Sequence, residues 1–285
     1  MTLNPALVGE AIRAACITEL RALKPGNVHR YAPGHGMTVA DFEASAEAIA
    51  DIFTQPRLAV GERILRSIEE TQHSVGSNTN LGIVLLAAPL AQAALLDAPG
   101  RLRLRLGRVL AELDMADAEL AFRAIRLADP AGLGECERHD VRAPARVTLR
   151  EAMAEAADRD TIARQYVTDY RDIFELGLDW LQEAASRWHD EAWAAARVFL
   201  GFLAQIPDSH VARKYGAEQA EALCRRAEPL AKGLAEAKDP RSMEAALLEF
   251  DAVLKTEGLN PGTSADLTVA SLFAQKLEEL IAESA

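Results

Sequence analysis

The chain has 285 residues, a formal net charge of −12, 49% hydrophobic residues and only 5% aromatic ones. That length can bury a sizeable core without disulfide or metal staples, and the abundance of Ala, Leu, Glu and Arg with few β-branched residues favours helices over sheets. The negative balance excludes a non-specific nucleic-acid binder, which needs a concentrated basic face; an anionic ligand would have to be met locally, by a few Lys or Arg, backbone N–H groups or Mg2+.

In chain order, residues 5–23 place Leu7, Ile12, Ala15, Cys16, Leu20 and Leu23 on one helical face, and Lys24-Pro25-Gly26 ends that helix. A Gly- and Pro-rich loop, 24–37, leads to a second helix over 38–54, opened by Thr38 and Asp41 as a capping box. Residues 57–70 predict a third helix and 71–77 a polar loop. The segment 81–96 is apolar nearly all round, so it is expected at the centre of a bundle. Pro99-Gly100 closes that unit, and 102–127 predicts one or two amphipathic helices. Pro130, Gly132, Gly134 and Pro144 make 128–148 the longest irregular segment, of a length that in compact domains is functional or disordered. Further helices are predicted over 149–157, 161–185, 191–205, 209–215, 217–237 and 242–255, with a last one from Ser264. No fixed-period repeat is present, so the expectation is one all-α domain over 1–285, a multi-helix bundle around a central apolar helix.

Cys16, Cys136 and Cys224 are odd in number and lack Cys-x-x-Cys spacing, which suits reduced packing residues. His29, His35, His73, His139 and His189 show no H-x-x-x-H or Cys/His spacing, so no zinc site is expected. The sequence has neither a leader-like start nor an apolar run able to span a bilayer, and the expectation is a cytoplasmic protein with no membrane or nucleic-acid partner. Trp180, Trp188 and Trp193 lie in one region and offer a homodimer surface, or else core.

Four junctions combine small, amide and charged residues: Lys24-Pro25-Gly26-Asn27-Val28, Gly76-Ser77-Asn78-Thr79-Asn80, Asp208-Ser209-His210-Val211-Ala212-Arg213-Lys214, and Asn260-Pro261-Gly262-Thr263-Ser264-Ala265-Asp266. Helix N-termini present unpaired N–H groups and partial positive charge, so several converging would bind phosphate even in an acidic protein. Each has a plainer explanation. Asn78 or Thr79 can be an ordinary N-cap, Thr263 to Asp266 and Asp41 can be capping boxes, Lys24 can be a helix-dipole partner, and His210 with Arg213 can be a solvated pair. Glu19 sits beside the apolar face of the first helix, where burial is unfavourable unless it is paired or ligates something. Asp158 and Asp160 flank an Arg ahead of the helix carrying Gln165 and Tyr166, and carboxylates projecting into a bundle can hold hard cations. Neither a Walker-type phosphate loop nor a dinucleotide G-x-G-x-x-G is present.

Taken in order, EL-x3-KPGNV (19–28), F-x2-SA-x-AI (42–49), NTNLG-x3-L-x2-PLA (78–91), DV with L-x-EAM and D-x-IA-x-QY (140–166), D-x-H-x3-K-x-G (208–216) and LNPG-x-SADL (259–267) resemble the triphosphoribosyl-dephospho-CoA synthase family over nearly the whole chain. The resemblance implies an all-α enzyme that moves the 5-triphosphoribosyl group of ATP to the 2′-hydroxyl of dephospho-CoA with release of adenine, making an acyl-carrier prosthetic-group precursor. It implies an oxocarbenium-like state served by an acid, a base and a stabilising carboxylate, for which Glu19, Asp41, Asp208 and Asp266 are candidates. The triphosphate would be gripped by Lys24, Gly26, Asn27, Asn78, Thr79, Asn80, Arg213, Lys214, Asn260, Gly262 and Thr263, with Mg2+ on Glu19, Asp41 and Asp266. Two other readings stay open at this stage: a related ribosyl transfer to a pterin- or furan-type one-carbon cofactor precursor, and a non-catalytic nucleotide-binding protein.

Overall fold

The computed structural model describes residues 3–34, 36–134, 136 and 138–284; His35, weighed above as a metal ligand, lies outside them. The described residues form fourteen α-helices and no sheet, only two isolated β-bridges in the loop after the first helix. Helix α1 (Pro5–Arg21) is capped by Asn4 and buries Val8, Ile12, Ala15, Cys16 and Leu20. Glu19 falls on that same buried face because it continues the three- and four-residue spacing of the apolar positions. Thr38 and Asp41 form the capping box that opens α2 (Val39–Phe53). Helix α3 (Val60–Val75) begins three residues later and ends five later than the sequence suggested, closed by Gly76 at φ +72°.

Helix α4 (Leu81–Leu95) is the central apolar helix, with thirteen buried positions and packing against α1, α3 and the three helices α5 (Leu102–Glu112), α6 (Met115–Ala128) and α8 (Thr161–Val167). It contains Pro89, which has no N–H, so the Leu85 carbonyl loses its partner inside the helix. The Tyr166 hydroxyl supplies one, donating to that carbonyl at 2.6 Å, and Tyr170 donates to the Leu86 carbonyl at 3.0 Å. Leaving such a buried carbonyl bare costs about 1–3 kcal/mol. The two phenols thereby tie the segment around α8 to the helix that lies at the centre of the molecule.

The predicted helix over 161–185 is interrupted. Asp169 and Tyr170 both adopt left-handed backbone, at φ +48° and +55°, and a π-helical turn at Ile173–Gly177 precedes α9 (Leu178–Trp188). Residues 102–127 divide into α5 and α6 because Asp114 caps a new start. The remaining elements are α7 (Leu149–Ala156), α10 (Glu191–Gln205), α11 (Ser209–Tyr215), α12 (Ala217–Glu236), a 3₁₀ turn at Pro240–Met243, α13 (Glu244–Thr256) and α14 (Gly262–Glu283). Helix α14 packs against α1, α4 and α10, so α4 and α14 together form the core on which the other helices lie. Trp180 and Trp193 are buried in the core, and the half-buried Trp188 packs against it and donates to the Ala237 carbonyl. Among the described residues the cysteines are free, and no helix is long and apolar enough to cross a membrane.

Candidate active site

The starts of α4, α11 and α14 and the loop after α1 open on one cleft of about 400 Å3. Its wall includes Glu19, Asn27, Asn78, Thr79, Asn80, Arg213, Lys214, Asn260, Gly262 and Asp266 from the candidates named above. Asp129, Pro130, Ala131 and Leu133 from the irregular central segment also line it. Lys24, Gly26, Asp41, Asp208 and Thr263 do not line it.

Asp41 is spent on α2: its Oδ2 accepts from the Thr38 N–H at 2.7 Å and the Thr38 hydroxyl at 2.8 Å, and these bonds hold its carboxyl below the usual carboxylate range. Asp208 is saturated. Its Oδ1 accepts from the His210 and Val211 N–H groups at 3.0 and 3.1 Å, and its Oδ2 from the Ser264 N–H and hydroxyl at 2.8 Å each. It fastens the first turn of α14 to the first turn of α11. Thr263 serves the same joint, pairing with the Ser209 hydroxyl at 3.0 Å and accepting from the His210 N–H at 3.1 Å. The expected capping box over Thr263 to Asp266 therefore does not form; α14 starts at Gly262, and Asp266 is released to face the cleft.

Asp266 is the carboxylate left over. Among the described residues nothing donates a hydrogen bond to it, and burial, reinforced by the nearby charges of Asp208, Glu19 and Asp160, pushes its carboxyl well above the ordinary value against the opposing charges of Arg213 and Lys24. Its Oδ2 lies against Gly82 in the first turn of α4: a Cβ at Gly82 would stand 2.0 Å from that oxygen. Only glycine lets the carboxyl approach the helix start this closely. Gly82 is a site residue that sequence reasoning passed over, although a glycine one residue inside the most apolar helix was the available signal.

Glu19 and Lys24 form a buried ion pair, 5% and 1% exposed at their side chains. Burial pushes the Glu19 carboxyl up and the Lys24 amine down, each opposed by its partner's charge. Lys24 also donates to Asn27 Oδ1 at 2.9 Å, and Asn27 Nδ2 donates to Asn260 Oδ1 at 2.8 Å, joining the first junction to the last. At the start of α4, Asn78 Oδ1 accepts from the Leu81 N–H at 3.2 Å, so the cap comes from Asn78, two residues ahead of the boundary residue Asn80. Asn80 Nδ2 donates to Thr71 Oγ1 at 2.9 Å, while its buried Oδ1 has no partner among the described residues. A cavity of about 10 Å3 adjoins it, lined by Glu19, Ser45 and Asn80 together with Phe42, Ile49 and Ile83.

On the basic side, Arg213 is held by Asp160 at 2.7 Å, and Asp160 Oδ1 caps α8 through the Ile162 and Ala163 N–H groups. Lys214 stands at the rim with its amine over the Tyr215 ring, 5.1 Å from the centroid. Among the described residues no three His, Cys, Asp or Glu side chains converge as a ligand set for a metal ion, and Glu19, Asp41 and Asp266 are not brought together as one. The cleft thus combines one unbonded carboxyl, one carboxylate on a buried lysine, a helix N-terminus lined with amides and hydroxyls, and a basic rim. An apolar wall of Met37, Phe42, Leu81, Ile125, Leu133 and Ile162 completes it.

A family model described as CitG: ATP:dephospho-CoA triphosphoribosyl transferase matches residues 5–284. A crystal structure of a candidate triphosphoribosyl-dephospho-CoA synthase from Archaeoglobus fulgidus is similar over 84% of this chain and 98% of that one, with 24% identity and a TM-score of 0.58. At that identity the likeness speaks for the all-α fold. No curated protein matches the sequence.

Proposed function

The chain belongs to the ATP:dephospho-CoA triphosphoribosyl transferase family, and from that premise we propose that the cleft between α1, α4, α11 and α14 is where the ribose of ATP changes partners. The reaction breaks the C1′–N9 bond and forms a bond from C1′ to the 2′-oxygen of dephospho-CoA. Adenine leaves with a proton, and the acceptor hydroxyl loses one.

The observation that carries this reading is the unbonded Asp266 carboxyl at the start of α4. Burial and the neighbouring carboxylates shift it toward its protonated form, the form that can hand a proton to the departing adenine. Glu19, held by Lys24, faces the positive charge that develops on the ribose and takes the 2′-hydroxyl proton as the new bond forms. The triphosphate stays whole and lies toward Asn78, Thr79, Lys214 and the first turn of α4, where amide, hydroxyl and ammonium groups offset its charge. The apolar wall suits adenine and the pantetheine arm. Mg2+ commonly uses one or two carboxylates and completes its shell with phosphate oxygens and water, so here it would arrive on the triphosphate and neutralise it without a protein cage. ATP and dephospho-CoA are intracellular metabolites, and this supports the reading of a cytoplasmic protein.

Incubation with ATP, Mg2+ and dephospho-CoA tests the reading by chromatography of free adenine. Adenine is expected only when all components are present, and Lys214→Met is expected to raise the KM for ATP about tenfold, the loss of one charge-assisted contact of about 1.4 kcal/mol. Adenine release that ignores dephospho-CoA but responds to a different acceptor would overturn the assignment of substrate.

A further inference from the structure

Against the Lys24 loop lies a buried acid that does not line the cleft. Asp251, on α13, is 4% exposed, although it stands 225 residues from the loop it contacts. Its Oδ1 accepts from the Gly26 N–H at 2.8 Å and lies 3.2 Å from His29 Nε2, and its Oδ2 accepts from Lys255 Nζ at 3.0 Å. Lys255 also donates to the Ala32 carbonyl at 3.2 Å. His29 Nδ1 accepts from the Tyr31 N–H at 3.3 Å, which leaves the hydrogen of a neutral ring on Nε2, directed at Asp251.

One carboxylate therefore gathers three points along the loop, at Gly26, His29 and, through Lys255, Ala32. The fit is tight: Gly26 has φ +82°, and a Cβ there would stand 2.8 Å from the Leu259 carbonyl oxygen. Next to Gly26, Asn27 holds Lys24 on one side and Asn260 on the other.

We propose that Asp251 is a positioning residue for the reaction, fixing the Gly26–Asn27 backbone so that Lys24 presents Glu19 to the cleft. This rests on the reading above, in which Glu19 acts on the ribose. The carboxylate touches no substrate; its effect reaches the site through the Gly26 N–H, Asn27 and Lys24. A scaffold role alone would lower stability and leave the turnover of folded enzyme unchanged.

The test compares Asp251→Ala and Asp251→Asn with wild type by steady-state adenine release from ATP and dephospho-CoA. Leu234→Ala, a cavity in α12 remote from the cleft, serves as a control for loss of stability. Asp251→Ala is expected to lower kcat at least 30-fold with the KM for ATP within threefold of wild type. Asp251→Asn keeps an oxygen acceptor for the Gly26 N–H and is expected to recover at least fivefold of that loss. Should Asp251→Ala not fold, Asp251→Ser is read in its place with the same expectation. A kcat within threefold of the Leu234→Ala control, or equal losses in the Ala and Asn variants, would overturn the proposal. Glu19→Gln is measured beside them: if it retains wild-type turnover, the reading of Glu19 falls instead, and the two failures are told apart.

Discussion

Asp266→Asn is expected to lower the rate of adenine release by about 10²- to 10⁴-fold, the range that a positioned general acid contributes, while ATP binding measured by calorimetry is expected to persist. The substitution is nearly isosteric and removes only the transferable proton, so the space against Gly82 is kept. The pH dependence separates an acid from a stabilising carboxylate. The Asp266 carboxyl is raised by burial and by Asp208 and Glu19, and its protonated fraction falls as pH rises. An acid role gives a decline of kcat on the alkaline side of that raised value, and Asp266→Asn abolishes this limb together with most of the rate. A rate that climbs with pH through the same region would assign Asp266 the opposite role.

Lys24→Met is expected to destabilise the protein by about 3–5 kcal/mol at pH 7 in urea unfolding, because it strands the Glu19 carboxylate in the interior. The double variant Glu19→Gln/Lys24→Met is expected to regain most of that loss, since no uncompensated charge remains. Acid pH should rescue the single variant. Without Lys24, burial leaves the Glu19 carboxyl raised above its unfolded value, so between the two values the folded state binds more protons than the unfolded state. Stability then falls as pH rises through that window and is greatest below the ordinary Glu value of about 4.3. A double variant as unstable as the single would show that the pair is not what holds this end of α1. Both variants are expected to be inactive, so stability here and activity at Asp266 are separate observables.

The helices were legible because their apolar spacing is strong: α4, with apolar residues at nearly every position, could only be central, and it is. What the sequence concealed was set by groups distant in the chain. A helix over 161–185 is broken at Asp169 and Tyr170, where Tyr166 and Tyr170 are drawn to the carbonyls beside Pro89 more than 80 residues earlier. Local periodicity carries no trace of that pull.

The cleft was partly legible for the same reason. Polar clusters at helix starts stand out against apolar helices, and those at α4, α11 and α14 do share one wall. The four candidate carboxylates were indistinguishable as sequence, since each stood near a helix start or an apolar face. Hydrogen bonding separates them: Asp41 and Asp208 are filled by donors, Glu19 by Lys24, and Asp266 by none among the described residues. Asp251 escaped notice, although an acid between Leu247 and Leu254 on one buried helical face was the sign of a paired charge.

The most direct test of the central claim is a crystal structure with dephospho-CoA and an ATP analogue that cannot lose its base. The triphosphate is expected within hydrogen-bond reach of Asn78, Thr79 and Lys214 at the start of α4, with the ribose C1′ between Asp266 and Glu19 and adenine within reach of the Asp266 carboxyl. A nucleotide bound outside this cleft, or one whose ribose faces away from Asp266, would contradict the account.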